Sequence, residues 1–205
     1  MLEGIKKLHF VGIGGVGMSA IAEVMLDKGY EISGSDLSES AVVKHLKAKG
    51  ATIYKGHDAL NVEGKEALVL SSAIHQDNPE LVAAKAKGLK LFHRSDILAY
   101  LLNDAKGIAV AGAHGKTTTS SMISVVLEHA KVDPTILIGG FVDYLKGNAK
   151  LGKSDYLVAE ADESDGSFLK FYPKIAVVTN IEDDHMDHYL SLIHISEPTR
   201  QAEIS

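Results

Sequence analysis

An α/β fold built on parallel sheets is predicted by three features of the 205-residue chain. Short aliphatic runs alternate with amphipathic stretches, glycine-rich turns stand where a run gives way to the stretch behind it, and acidic residues collect where the later runs end. The first series reads as a strand over 8–13, a helix over 18–28, a strand over 30–33, a helix over about 38–49 and a strand over 51–54. The aliphatic run ALVLSS, ending at Ser72, supplies the next strand. Asn78-Pro79 opens a further helix, because proline is tolerated in a first turn. The run LKLF and a helix over about 95–102 complete a first domain over 1–105, with polar 103–107 as its linker.

A second series covers 106–190. GIAVAG reads as its first strand, a helix follows over about 116–130, and TILIGG, DYLVAEAD and KIAVVTN read as buried parallel strands, being aliphatic and β-branched almost throughout. Acidic residues outnumber basic ones, 27 to 21, and no basic cluster occurs, so the counterion release that drives nucleic-acid binding has no footing. Cysteine is absent, which excludes a disulfide framework and thiolate metal sites and fits a reducing compartment. The N-terminal apolar run is broken by glycines and falls short of a bilayer span. A soluble, cytoplasmic protein with neither a nucleic-acid nor a membrane partner is expected.

The first glycine group, Gly12-Ile13-Gly14-Gly15-Val16-Gly17, falls between a strand and a helix, and Asp36 follows the next strand. Glycines let such a turn close and let backbone N–H groups approach a pyrophosphate, while an acid at that distance reaches a ribose hydroxyl. A tight turn without a ligand has the same pattern, and NAD and a sugar nucleotide diphosphate satisfy it equally. The second group, Gly112-Ala113-His114-Gly115-Lys116-Thr117-Thr118-Thr119, also joins a strand to a helix. It reads as a phosphate loop with two residues between its glycines where the common loop has four, although an ordinary strand-to-helix turn has a similar form. Lys116 supplies a point charge for the outer phosphates and Thr117 a hydroxyl for Mg²⁺.

Two acidic strand ends follow. VAEADESD carries Glu160, Asp162, Glu163 and Asp165, hard oxygen donors of the kind Mg²⁺ takes, although a solvated acidic turn has the same composition. TNIEDDHMDHY carries Asn180, Asp183, Asp184, His185, Asp187 and His188. His185 and His188 stand three apart, as zinc ligands on a helix do, yet no third spaced His or Cys accompanies them.

Taken in order, GIGGVGMS, SGSD, SSAI with DNPE, GAHGKTTT, EADESDGSFL and TNIEDDHMDHY resemble the Mur ligase family over residues 1 to about 189. The short Gly-x-x-Gly-Lys-Thr loop is that family's form. The resemblance implies a Rossmann-like domain that holds the UDP part of the substrate, with Gly12, Gly14, Gly15, Gly17, Asp36, Ser71 and Ser72 as contacts. A truncated, P-loop-type α/β ATPase domain follows. In it Gly112, Ala113, His114, Gly115, Lys116, Thr117 and Thr118 bind ATP, Thr117 and Glu160 hold one Mg²⁺, and His185 holds a second. Lys116, Glu160, His185 and Asn180 form the implied catalytic set, with Asn180 orienting phosphate or substrate.

Within the family the motifs are most similar to members that join L-alanine to UDP-N-acetylmuramate, through an acyl phosphate, in peptidoglycan synthesis. A murein-peptide recycling ligase is the near alternative, and an NAD-dependent oxidoreductase the distant one. The family continues past the DHMD strand end into a third domain, whereas SLIHISEPTR departs from it and looks like translated sequencing adaptor. Residues 191–205 are therefore expected to be a non-native tail in which His194 carries no function, and a fragment of this extent is expected to be inactive alone.

Overall fold

Leu8, Phe10, Leu68 and Val69 are fully buried on both faces of one sheet, as the aliphatic runs require of central parallel strands. The computed structural model of the chain describes residues 1–161 and 167–182, which divide into two units. The first unit comprises Met1–Leu98 with Asn148–Leu151. Its strands are β1 (Lys7–Val11), β2 (Glu31–Asp36), β3 (Thr52–Lys55), β4 (Ala67–Leu70) and β5 (Lys90–His93), all parallel in the order β3-β2-β1-β4-β5. Helices α1 (Val16–Asp27), α2 (Ala41–Ala48), α3 (Pro79–Ala86) and α4 (Arg94–Asn103) connect or follow them. The strand order reverses at β1, so the turn after β1 opens at the switch point where such sheets take ligands.

Local chemistry sets the helix starts. The Asn78 side chain accepts from the N–H groups of Glu80 and Leu81, and Pro79 occupies the first turn of α3. Ser40 accepts from Val43 N–H at 3.3 Å to start α2. Beneath α3, Val11, Val62, Leu68, Leu81 and Ala84 form one core cluster, and each large side chain buried there contributes about 1.5–3 kcal/mol.

A second sheet, running β10-β6-β9-β7-β8, is formed by β6 (Lys106–Ala111), β7 (Thr135–Val142), β8 (Gly147–Lys150), β9 (Tyr156–Glu160) and β10 (Ile175–Val178), with α5 (Lys116–His129) after β6. The pairs β10–β6, β6–β9 and β9–β7 are parallel. Three details depart from the sequence reading. Strand β2 runs on through Gly34 to Asp36, because Gly34 lies opposite Phe10 and a Cβ there would stand 2.7 Å from Ile13 Cδ1. The stretch read as a linker is mostly ordered structure, with α4 ending at Asn103 and β6 starting at Lys106. Strand β8, with the sequence GNAK, carries no aliphatic run and was not foreseen.

A carboxylate lies inside the first unit. Glu80, in the first turn of α3, is fully buried and accepts four hydrogen bonds. They come from Asn61 Nδ2 (2.7 Å) and His9 Nε2 (3.2 Å) on Oε1, and from Ser35 Oγ (2.6 Å) and His57 Nδ1 (2.8 Å) on Oε2. Burial alone would push this carboxyl up; the bonds from His9, Ser35, Asn61 and His57 outweigh it and bring it from 4.5 down to about 2.

A carboxyl lowered by folding stabilises the fold above its unfolded value, and that contribution is lost as pH falls toward the folded one. Between pH 4.5 and 2 the wild-type chain should therefore lose stability more steeply than Glu80→Gln, which has no such proton to take up. Melting followed by circular dichroism across that window checks this, and equal slopes would rule it out.

Candidate functional site

In the first unit the glycine turn is held from the side by β2. Gly12 N–H and Ile13 N–H both donate to the Ser35 carbonyl, at 2.9 and 3.0 Å, and Gly14 N–H donates to Asp36 Oδ2 at 2.8 Å. Gly12 has φ +74°, a region that glycine occupies without strain. At Gly14 a Cβ would lie 2.7 Å from Asp36 Oδ2, so the absent side chain is what lets the turn rest on that carboxylate. Asp36 also caps the next turn, its Oδ1 accepting from Ser38 N–H and Oγ. Gly15 then starts α1 with no side-chain cap, leaving the first N–H groups of the helix to other partners. A Cβ on Gly17 would stand 3.3 Å from Arg94 Nη1.

Ser71 and Ser72 follow β4, Ser71 half-buried and Ser72 exposed. The Ser71 carbonyl closes a turn by accepting from Ile74 N–H, and Ile74 Cδ1 lies 3.6 Å from where a Gly12 Cβ would be. The structure thus brings the turns after β1 and β4 together at the carboxyl edge of the sheet, beside Asp36.

In the second unit the phosphate loop spans the end of β6 and the start of α5. Gly115 adopts φ +81° as the N-cap and offers no capping side chain to the first turn of α5. The loop is fastened by residues that end β10. Asn180 is bidentate on His114, its Oδ1 accepting from the N–H at 2.9 Å and its Nδ2 donating to the carbonyl at 3.2 Å. Thr179 Oγ1 donates to the same carbonyl at 2.6 Å and lies 3.2 Å from that of Ala111. Gly112, at φ +130°, has room for no Cβ, since one would collide with Thr179 Oγ1 and lie 2.9 Å from the Asn180 carbonyl.

Lys116 Nζ folds back over the loop and donates to the Gly112 carbonyl at 2.6 Å. Ala113 is half-buried, while His114 and Thr118 are exposed. His114 Nε2 meets Glu182 Oε2 at 3.5 Å in an exposed pair that contributes little.

Glu160 and Thr117 each lie against one of two neighbouring glycines of β7. A Cβ on Gly139 would lie 2.5 Å from Glu160 Oε2, and one on the next residue, Gly140, 3.0 Å from Thr117 Cγ2. The two glycines thus form a shallow cradle that leaves room for the Glu160 carboxylate and for the Thr117 side chain, whose methyl group stands nearer than its hydroxyl, at 3.9 Å. Ser120, one turn into α5 and fully buried, steadies the carboxylate by donating to Glu160 Oε1 at 3.1 Å. Carboxylate and hydroxyl oxygens are hard donors, so the pair fits the magnesium reading. His185, with Asp162, Glu163, Asp165, Asp183, Asp184, Asp187 and His188, lies outside the described residues, as does the stretch 191–205. Among the described residues no group of three or more His, Cys, Asp or Glu could hold a metal ion.

Sequence reasoning did not single out Thr179, Ser120, Gly139 or Gly140. The doublet in TILIGG was a usable signal, because paired glycines at a parallel strand's end mark close approach by other groups.

The profile described as "Mur ligase family, catalytic domain" matches residues 7–116, and that of the "Mur ligase middle domain" matches 110–200. The chain belongs to the Mur ligase family. It is 55% identical over 192 residues to the UDP-N-acetylmuramate–L-alanine ligase of Dictyoglomus turgidum, a match covering 94% of this chain and 41% of that protein. With the ligase of the same name from Pelotomaculum thermopropionicum it shares 56% over 190 residues, covering 93% and 41%. Among solved structures it resembles the UDP-N-acetylmuramate-alanine ligase of Thermotoga maritima, with TM-score 0.81, 34% identity, and 90% and 44% of the two chains covered. It also resembles the UDP-N-acetylmuramate:L-alanyl-gamma-D-glutamyl-meso-diaminopimelate ligase of Neisseria meningitides, with TM-score 0.84, 31% identity, and 94% and 65% covered. The chain spans about two fifths of the length of the curated relatives it matches. As a Mur ligase it carries the family's α/β parallel-sheet fold, and no helix among the described residues is long and apolar enough to cross a membrane.

The β7 cradle yields a direct test. Gly139→Ala places a methyl group against Glu160 at a residue whose backbone tolerates alanine, so the fold should persist while the carboxylate is displaced. Magnesium-dependent ATP affinity should fall about tenfold, the size expected when one charge-assisted contact is lost. Titration calorimetry with and without Mg²⁺ measures it, and unaltered affinity would separate the cradle from metal binding.

Proposed function

We propose that the chain is the substrate-binding and ATP-binding portion of a cytoplasmic ligase that joins L-alanine to UDP-N-acetylmuramate. The observation that carries this reading is the Thr117–Glu160 cradle beside the fastened Gly112–Lys116 loop, in a chain about 55% identical to ligases of that name. In the reaction the muramate carboxylate attacks the γ-phosphate of ATP and ADP leaves. The L-alanine amine then attacks the acyl carbon, phosphate departs, and the amine loses its proton as the amide forms.

The residues act by positioning and charge neutralisation, which dominate phosphoryl transfer. The N–H groups at the start of α5 and the Lys116 ammonium receive the phosphates, for which Lys116 must exchange its bond to the Gly112 carbonyl. Thr117 and Glu160 would hold a magnesium ion, which would supply charge neutralisation for the outer phosphates, and His185 would help hold a second one. Ser120 keeps Glu160 aimed, and Asn180 acts through the shape it gives the loop at His114. In the first unit, the turn Gly12–Gly17, Asp36, Ser71 and Ser72 hold the UDP portion of the substrate.

Similarity to the diaminopimelate-containing ligase of Neisseria meningitides keeps tripeptide attachment as the competing activity. The curated relatives at 55–56% identity are alanine ligases, which favours L-alanine, while among solved structures the alanine ligase stands at 34% and the diaminopimelate-containing ligase at 31%.

In a chain extended to the length of its relatives, Lys116→Ala and Glu160→Ala should each lower ligation by at least about a hundredfold, the loss typical of removing one phosphate-stabilising group. Steady-state kinetics with unchanged circular dichroism would support the roles, and near-normal turnover in either variant would remove that residue from the scheme. The first unit should bind UDP in preference to NAD. Calorimetry that gives heat with NAD and none with UDP would return the glycine turn to the oxidoreductase reading.

A further inference from the structure

The buried carboxylate of Glu80 has no part in the reaction just described, and its place in the fold gives it another use. Four donors from four parts of the first unit converge on it: His9 in β1, Ser35 in β2, His57 just beyond β3 and Asn61 in the short helical turn Ala59–Val62. A carboxylate so deep is costly unless every lone pair is engaged, and here both oxygens are doubly engaged. Two aliphatic neighbours would fill the same space at lower cost, so the charge calls for a reason beyond packing.

Ser35 supplies it. Its hydroxyl donates to Glu80 at 2.6 Å, while its carbonyl accepts from Gly12 and Ile13 at 2.9 and 3.0 Å. One residue thus links the buried charge to the glycine turn. The next residue, Asp36, receives Gly14 on its side chain and Gly56 N–H on its carbonyl. His57 follows Gly56 directly and points Nδ1 at Glu80, close to Ser35 Oγ at 3.0 Å. The carboxylate therefore fastens two neighbouring strand ends, those of β2 and β3, to each other and to α3.

We propose that Glu80 is a positioning residue for the nucleotide site of the first unit, acting through Ser35 to preset the Gly12–Gly14 turn. Presetting matters because glycine turns lose more conformational entropy on ordering than other backbone, and a turn already ordered spares a ligand that loss. The proposal rests on the reading that this turn receives the diphosphate of a UDP-linked substrate.

The test uses the 205-residue chain and UDP as the probe. Wild type, Glu80→Gln and Ser35→Ala are titrated by calorimetry, and amide hydrogen exchange is followed at Gly12 and Ile13, with Phe10 and Ile32 as core references. Both variants should bind UDP about tenfold more weakly, the effect of losing one hydrogen bond to a charged group. Exchange should accelerate at Gly12 and Ile13 and stay unchanged at the core references, a pattern that general destabilisation does not produce. The double variant should bind no more weakly than Glu80→Gln alone, because both act along one path. If Glu80→Gln does not fold, Ser35→Ala decides the matter by the same two readouts. UDP binding and Gly12 exchange that match wild type in the variants overturn the proposal while leaving the nucleotide reading intact. An absence of UDP binding in the wild-type chain overturns that reading, and the proposal with it.

Discussion

A glycine turn cannot set its own shape, because the residue that lets it bend also lets it bend otherwise. In this Mur ligase chain both ligand-facing turns take their shape from the end of an adjacent parallel strand. The Ser35 carbonyl and the Asp36 side chain on β2 hold Gly12, Ile13 and Gly14, and Thr179 and Asn180 after β10 hold Ala111 and His114. Remove this lateral hold and the helix N-termini behind the turns lose their aim. The parallel sheet therefore does more than bury aliphatic surface: it puts one strand's end within hydrogen-bond reach of the next strand's loop.

The two units meet this constraint with different chemistry. In the second unit the neutral amide of Asn180 and the hydroxyl of Thr179 fasten the loop from β10, beside the Lys116 ammonium on the Gly112 carbonyl. In the first the fastening strand end is itself fixed by an ionised carboxylate, Glu80, fully buried among His9, Ser35, Asn61 and His57. A charge in that position is directional and intolerant of displacement, so it holds the ends of β2 and β3 in one arrangement.

Much of this was legible from residue order. Aliphatic runs located β1, β4, β6 and β9, and Asn78-Pro79 marked the start of α3 to the residue. The position of the Gly112–Lys116 turn was readable because glycines follow an aliphatic run there and open a helix. What escaped reading depended on distance in the chain. Nothing near Asn180 says that its amide will grip His114, and nothing near Glu80 distinguishes it from the many glutamates that open helices in water. Strand β8 escaped because Gly147–Lys150 is recruited by its neighbour β7 and has no apolar pattern of its own. The expectation that 103–107 forms a linker failed for the opposite reason: Lys106 and Gly107 look polar and flexible, but register with Tyr156 and Leu157 draws them into β6.

The grip of Asn180 on His114 joins residues 66 positions apart. A ribosome adds residues in one direction, so the Gly112–Lys116 loop emerges long before the strand end that shapes it. Through that interval β6 and α5 are complete in sequence, yet β6 lacks its β10 neighbour and the loop is unfastened. Contacts of such long range form late and slowly compared with local ones. The phosphate-binding loop, though encoded early in its unit, is thus among the last of its parts to be finished, and a nascent chain gains a shaped nucleotide site only when its second sheet closes.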